Sequence, residues 1–294
     1  MDKKMKILIA YDGSECARAA LDDLRSAGLP AQAKVRILTV QESWMPPPSS
    51  YEILADATRE MEMLAFAQEA AVTLRSAFPQ WEVNPQVEFG APGSALLHFA
   101  DDWQPDLLVA GSHGRSALGR FFLGSVSQKA VTEAHCNVRI ARGRVQEPGT
   151  PLRLLLGIDG SPGAEAAVNL VAQRHWPENT EVKLVNAAWV LPPMASEPAT
   201  ATLLAWSTNE QAQISAAVAS ARQKLQAAGL QVTTLVKEQD PKHLLCEEAE
   251  KWSADCIFVG AKGVSTLERL LLGSVSAAVA ARAHCSVEVV RPPL

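Results

Sequence analysis

The chain has 294 residues, 48% hydrophobic and 20% charged, which is enough apolar material for compact cores and too much for a disordered chain. Its formal charge of −5, from 27 basic and 32 acidic residues spread along the sequence, leaves no basic footprint for a nucleic acid. The N-terminal apolar run is only "ILIA" before Tyr11 and Asp12, too short for a secretory signal, and no segment approaches the roughly 20 apolar residues of a membrane span.

In chain order, the first half carries candidate strands at "KILIAY", "KVRILTV", "NPQVEFG", "DLLVAG" and "NVRIA". Their apolar runs are unbroken, which predicts burial on both faces. Between them, "EILADATREMEMLAFAQEAAVTLRSAF" and "GSVSQKAVTEAH" read as helices, and in the first of these Leu54, Met61, Met63, Leu64 and Leu74 are expected to pack into the core. Strand and helix in alternation predict a parallel sheet with helices on both faces. Right-handed crossovers would then bring Asp12, Val40, Gly90 and Gly111 to one edge, around one crevice.

The second half repeats this plan. "KILIAYDGSECARAAL" from Lys6 matches "RLLLGIDGSPGAEAAV" from Arg153, aligning Asp12 with Asp159, and "EAHCNVRIAR" matches "ARAHCSVEVVR". Two domains are expected, at residues 1–146 and 150–294, joined by the Pro- and Gly-containing segment "GRVQEPGTP".

One spacing recurs after the fourth strand of each half: Gly111, two residues, Gly114, nine residues, Gly124, Ser125; then Gly260, two, Gly263, nine, Gly273, Ser274. Glycine at a strand end permits positive φ and close backbone approach to a ligand. A helix starting at "GSVS" would aim bare N–H groups and the positive end of its dipole at the crevice, where a phosphate fits. Ser125, Ser127, Ser274 and Ser276 would add hydroxyls to a phosphate or cap the helix, and the glycines would equally serve a plain turn. Neither a P-loop nor a G-x-G-x-x-G loop is present, since Arg120 and Phe121 stand where Lys and Ser/Thr are needed after Gly119.

The stretches "ILIAYDGSECA" and "DLLVAGSHGRSALGRFFLGSVSQKAV", with their second-half partners, resemble the universal stress protein family, and G-x2-G-x9-G-[ST] resembles the signature of its ATP-binding branch. The resemblance covers both halves. It implies two tandem Rossmann-like α/β domains, each a five-stranded parallel sheet flanked by helices, paired through their last strands. It also implies a site for ATP, with or without Mg2+. Asp12 and Asp159 would lie near adenosine, and Val40 or Ala187 would form the adenine wall. Gly111, Gly114, Gly124, Ser125, Val126 and Ser127 would surround ribose and phosphates, as would Gly260, Gly263, Gly273, Ser274, Val275 and Ser276 in the second half. His113 and Arg115 share the first loop, whereas Lys262 and Val264 replace them in the second, so equal affinity is not expected.

Asp12 and Asp159 have a competing role as helix caps, and His113 and Arg115 as solvated loop residues. The pairs His135–Cys136 and His284–Cys285 raise tetrahedral zinc, but neighbours in an extended segment point to opposite faces, and no metal site is expected. Five scattered cysteines form no disulfide framework, which fits a reduced, cytoplasmic protein. Three functions remain: an ATP-binding stress-response regulator with an unknown protein partner, a slow ATPase, and a nucleotide-independent scaffold or carrier of an apolar ligand. The regulator is the reading preferred here, as a single chain with its domains paired internally or as a homodimer.

Overall fold

The computed structural model describes residues 4–42, 50–114, 123–143, 149–188, 197–263 and 272–292, the side chains of 50–59 and 197–210 excepted. By its contacts the chain forms two compact units, Met1–Val145 with Ala280–Glu288, and Gln146–Val279 with Val289–Leu294.

The first unit runs β1 (Met5–Ala10), α1 (Glu15–Asp23), β2 (Ala33–Gln41), α2 (Ser50–Ala77), β3 (Glu82–Phe89), α3 (Pro92–Trp103), β4 (Leu107–Gly111), α4 (Ser125–Glu133) and β5 (Asn137–Ala141). Its strands lie in the order β3-β2-β1-β4-β5, and every neighbouring pair is parallel. The second unit contains β6 (Arg153–Gly157), α5 (Pro162–Gln173), β7 (Glu181–Ala188), α6 (Glu197–Ala227), β8 (Gln231–Glu238), α7 (Pro241–Lys251) and β9 (Cys256–Gly260), and α8 (Ser274–Arg282) and β10 (Ser286–Val290) close the chain. Its order β9-β6-β7-β8 is again parallel. Both units are Rossmann-like α/β folds, as the alternation of elements predicts.

The unbroken apolar runs become central strands with helices on each side. Ile7, Leu8 and Ile9 are consecutive and fully buried, as are Leu107, Leu108 and Val109, so both faces of β1 and β4 are covered. Each such side chain contributes roughly 1.5–3 kcal/mol by leaving water. The helices that follow the first strand of each half are capped by serine: Ser14 Oγ accepts from Ala17 N–H, and Ser161 Oγ accepts from Ala164 N–H ahead of Pro162. Serine therefore holds the capping role that the sequence had offered to Asp12 and Asp159.

The long helix α2 corrects one expectation. Leu74 is fully buried, but Met61 is 73% exposed and Leu64 lies at the surface, while Leu54 falls outside the described side chains. The buried stripe is Ala67, Ala70, Ala71 and Leu74, with Met63 half-buried one turn earlier. At 3.6 residues per turn, Met61 and Leu64 fall off that stripe, and small alanines let the helix lie close to the sheet.

Within the first unit, buried Arg139 on β5 joins two acids distant in sequence. Its Nε lies 2.6 Å from Asp23 Oδ2 and its Nη1 3.2 Å from Glu288 Oε2, while Ser286 Oγ donates to Asp23 Oδ1 at 2.6 Å. The strand order places the site. The chain moves outward from β1 through β2 to β3 and then returns to β4, so the carboxyl ends of β1 and β4 diverge into a crevice.

Candidate functional site

A cleft of about 960 Å³ opens at this point of the first unit. Its walls are Asp12 after β1, Thr39 to Glu42 at the end of β2, Pro92 to Ser94 at the start of α3, Gly111 to Gly114 after β4, and Gly124 to Ser127 at the start of α4. Of the four positions expected to converge, Asp12, Val40 and Gly111 line the cleft, and the residues directly after Gly90 do so in its place.

The helix starts where the sequence placed it. Gly124 is the N-cap of α4 and supplies no side-chain hydrogen bond, so the amides of Ser125, Val126 and Ser127 have no acceptor within the helix. Gly124 N–H itself donates to Ser112 C=O at 2.9 Å, which locks the loop end onto β4. The Ser127 hydroxyl donates to Gly111 C=O at 2.6 Å and thereby ties α4 to the strand, and Ser127 lines the cleft. Lys129 lies one turn along the same helix, so the positive helix end and an ammonium stand on one side. Glu42 after β2 and Glu62 on α2 also line the cleft, and the Lys129 ammonium lies 3.3 Å from Ser94 Oγ and 3.7 Å from the Glu133 carboxylate.

Among the described residues, three buried polar atoms on these walls have no hydrogen-bond partner: Thr39 Oγ1, Gln41 Oε1 and His113 Nε2. An unpartnered buried polar group costs about 1–3 kcal/mol, so these atoms are where water or a ligand entering the cleft would be held. His113 Nδ1 lies 3.0 Å from Ser112 Oγ, which orients the ring. Asp12 Oδ1 accepts from Ser14 N–H at 3.0 Å, fixing the carboxylate at the mouth of β1. Burial, reinforced by the Glu69 charge, pushes the Tyr11 phenol above its ordinary pKa and keeps it neutral.

The glycines owe their place to packing and not to positive φ. None of Gly111, Gly114, Gly124, Gly260, Gly263 and Gly273 has positive φ; that conformation belongs to Gly13 and Gly160 after the first strands. A Cβ on Gly111 would come within 2.9 Å of the Cys16 backbone, so this glycine lets α1 lie against β4. Gly260 meets the Gly163 backbone in the same way. Gly114 is different: a Cβ there would meet the Asp12 carboxylate at 2.9 Å, and on Gly263 the Asp159 carboxylate at 2.7 Å.

The second half reproduces this skeleton. Ser276 Oγ donates to Gly260 C=O at 2.6 Å, Gly273 N–H donates to Ala261 C=O at 2.7 Å, and Asp159 Oδ1 accepts from Ser161 N–H at 3.0 Å. Ser274 and Val275 open α8 as Ser125 and Val126 open α4, and Ala187 stands on β7 where Val40 stands on β2. Here, however, the Ser161 hydroxyl also donates to Asp159 Oδ1, at 2.5 Å. Lys262 replaces His113, and its buried Nζ has no hydrogen-bond partner among the described residues.

Arg115 and Val264 lie outside the described residues. Sequence reasoning missed Thr39, Gln41, Lys129 and the start of α3. The signal for the first two was available: in "VRILTVQ" a threonine and a glutamine occupy inward positions that alternate with an aliphatic set. Among the described residues no group of three His, Cys, Asp or Glu could hold a metal, and His135 pairs at the surface with Asp101 at 3.9 Å.

The universal stress protein family model matches residues 4–142 and 152–291, one copy in each half. A universal stress protein of Mycobacterium tuberculosis is 26% identical over 297 residues, covering 98% of both chains. One from Thermus aquaticus is 36% identical over 140 residues, spanning 46% of this chain and 97% of its own. The crystal structure of a universal stress protein from Archaeoglobus fulgidus superposes with a TM-score of 0.66 at 19% identity, over 97% of this chain and 96% of that one, which shows a shared fold. The two matched copies together span nearly the whole sequence, and the chain belongs to the universal stress protein family.

Proposed function

We propose that the first-half cleft binds an adenine nucleotide, ATP foremost, and that the chain is a stress-response regulator whose nucleotide occupancy alters conformation or partner binding. The observation that carries this reading is the coincidence, in one cleft, of the uncapped start of α4 with unpartnered Gln41 and Thr39 beside Val40. The helix start and Lys129 suit the phosphates. The wall at Val40 suits the base, where the Gln41 amide can accept from the adenine exocyclic amine and donate to a ring nitrogen. Asp12 suits the ribose hydroxyls. A magnesium ion would arrive with the triphosphate and draw its oxygens from phosphate, water and Asp12.

None of the five cysteines is joined in a disulfide, which supports a reducing, cytoplasmic setting. Among the described residues no helix is long and apolar enough to cross a membrane.

The test is the nucleotide released on denaturing freshly purified protein, followed by calorimetric titration with ATP and GTP. Adenine nucleotide is expected in the extract, with ATP bound more tightly than GTP and Gln41→Leu narrowing the difference by about tenfold (~1.4 kcal/mol). An empty extract together with no heat from ATP at millimolar concentration overturns the reading.

A further inference from the structure

A second cleft, of about 290 Å³, lies in the second unit between α5 and α6. Its origin is visible by comparison with the first half. The repeat pairs Tyr11 with Ile158, Arg18 with Glu165 and Leu21 with Val168. The inward stripes of the long helices match as well: Met63, Phe66, Ala70 and Leu74 on α2 correspond in burial to Ile214, Ala217, Ala221 and Leu225 on α6, which pairs Glu69 with Ser220.

In the first half this space is filled from within. The Tyr11 ring is buried, Phe66 packs on the same core, and the charges of Arg18 and Glu69 act on the Tyr11 hydroxyl. Arg18 also donates to Gly13 C=O at 2.6 Å. The first half thus supplies two rings, a cation and an acid.

In the second half both rings have become aliphatic and Arg18 is replaced by the acid Glu165 on α5, while a cation stands on the long helix as Lys224, where the first half has Thr73. The walls left behind are Ile158, Ala164, Val168, Ala217 and Ala221 together with the polar Ser161 and Ser220, and Glu165 stands exposed at the rim. Lys224 is also at the rim, but its ammonium is held by the Asn169 side-chain oxygen at 2.5 Å. A dry cavity of about 150 Å³ lined by aliphatic side chains already holds benzene.

We propose that this cleft is a binding site for a small aromatic amine, one or two fused rings bearing an ammonium. The rings take the volume that Tyr11 and Phe66 fill in the first half, and the ammonium pairs with Glu165 in place of Arg18. The site lies in the other unit from the first-half nucleotide cleft and borders Asp159 through Gly160 and Ser161.

Calorimetric or ligand-observed NMR titration of the full chain with tryptamine, indole and indole-3-acetate tests this. Tryptamine is expected to bind most tightly, and Glu165→Gln, a surface change, to weaken it about tenfold. Ala217→Phe, which restores the first half's ring, is expected to abolish tryptamine binding while the ATP titration stays unchanged. Tryptamine binding that survives both variants, no binding of tryptamine to the wild-type chain, or indole-3-acetate binding as tightly as tryptamine overturns the proposal. Gly114→Ala separates the two sites, because it acts in the nucleotide cleft and is expected to leave the tryptamine titration unaltered.

Discussion

Gly111 and Gly114 sit three residues apart and answer to different constraints, which makes them separable by the same small change. A methyl group on Gly111 would press on backbone atoms of Cys16, and neither α1 nor β4 can move away cheaply. Gly111→Ala is therefore expected to cost roughly 1–3 kcal/mol of stability, read as a lower denaturant midpoint. On Gly114 the methyl meets only the end of the Asp12 side chain, which can rotate. Gly114→Ala is expected to displace that carboxylate and weaken ATP binding about tenfold (~1.4 kcal/mol) by calorimetry, with the midpoint nearly unchanged. Equal stability losses in the two variants would show that both glycines serve packing alone. Gly124 is less informative, because a Cβ there finds ordinary contacts at 3.5 Å and beyond. The spacing of these residues was legible in the sequence, but their separate reasons were not. Both look like turn glycines until the backbone of α1 and the carboxylate of Asp12 are seen beside them.

At the scale of elements, the strands were legible because burial on both faces writes an unbroken apolar run, and β5 begins and ends where "NVRIA" does. The start of α4 was legible because glycine followed by serine marks a helix beginning. Long-range polar pairing left no such mark. Asp23 and Arg139 are 116 residues apart, and Arg139 and Glu288 are 149 apart, so each reads alone as a solvated charge. In the fold they are buried together, and removing the shared cation leaves two carboxylates facing each other without water. Arg139→Ala is expected to destabilise the first unit by roughly 3–5 kcal/mol in denaturant unfolding. Replacing all three charged residues together with apolar side chains of similar volume should recover most of that loss, since desolvation of the ions disappears with them. A single variant as stable as wild type would mean that the pairing contributes nothing net.

For the whole molecule, the duplication copied the skeleton more faithfully than the side chains that face a ligand. Both halves keep the aspartate after the first strand, the glycine that faces it, and the serine hydroxyl that ties helix to strand. The walls differ. Gln41 and Thr39 have Ala188 and Asn186 at the matching positions of β7, and the Asn186 amide donates to Ile158 C=O at 2.7 Å instead of standing unpartnered. Both Ser14 and Ser161 cap the following helix with their hydroxyl oxygens, and Ser161 in addition donates its hydroxyl proton to Asp159. A ligand gains most where it satisfies groups the protein leaves bare, and those that suit a base stand in the first half. The full chain is therefore expected to bind one ATP tightly, with any second event at least tenfold weaker in a calorimetric titration. Gly114→Ala should remove the tight event and Gly263→Ala should leave it, whereas two equal sites, or loss of the tight event on Gly263→Ala, would show that the shared skeleton alone sets affinity.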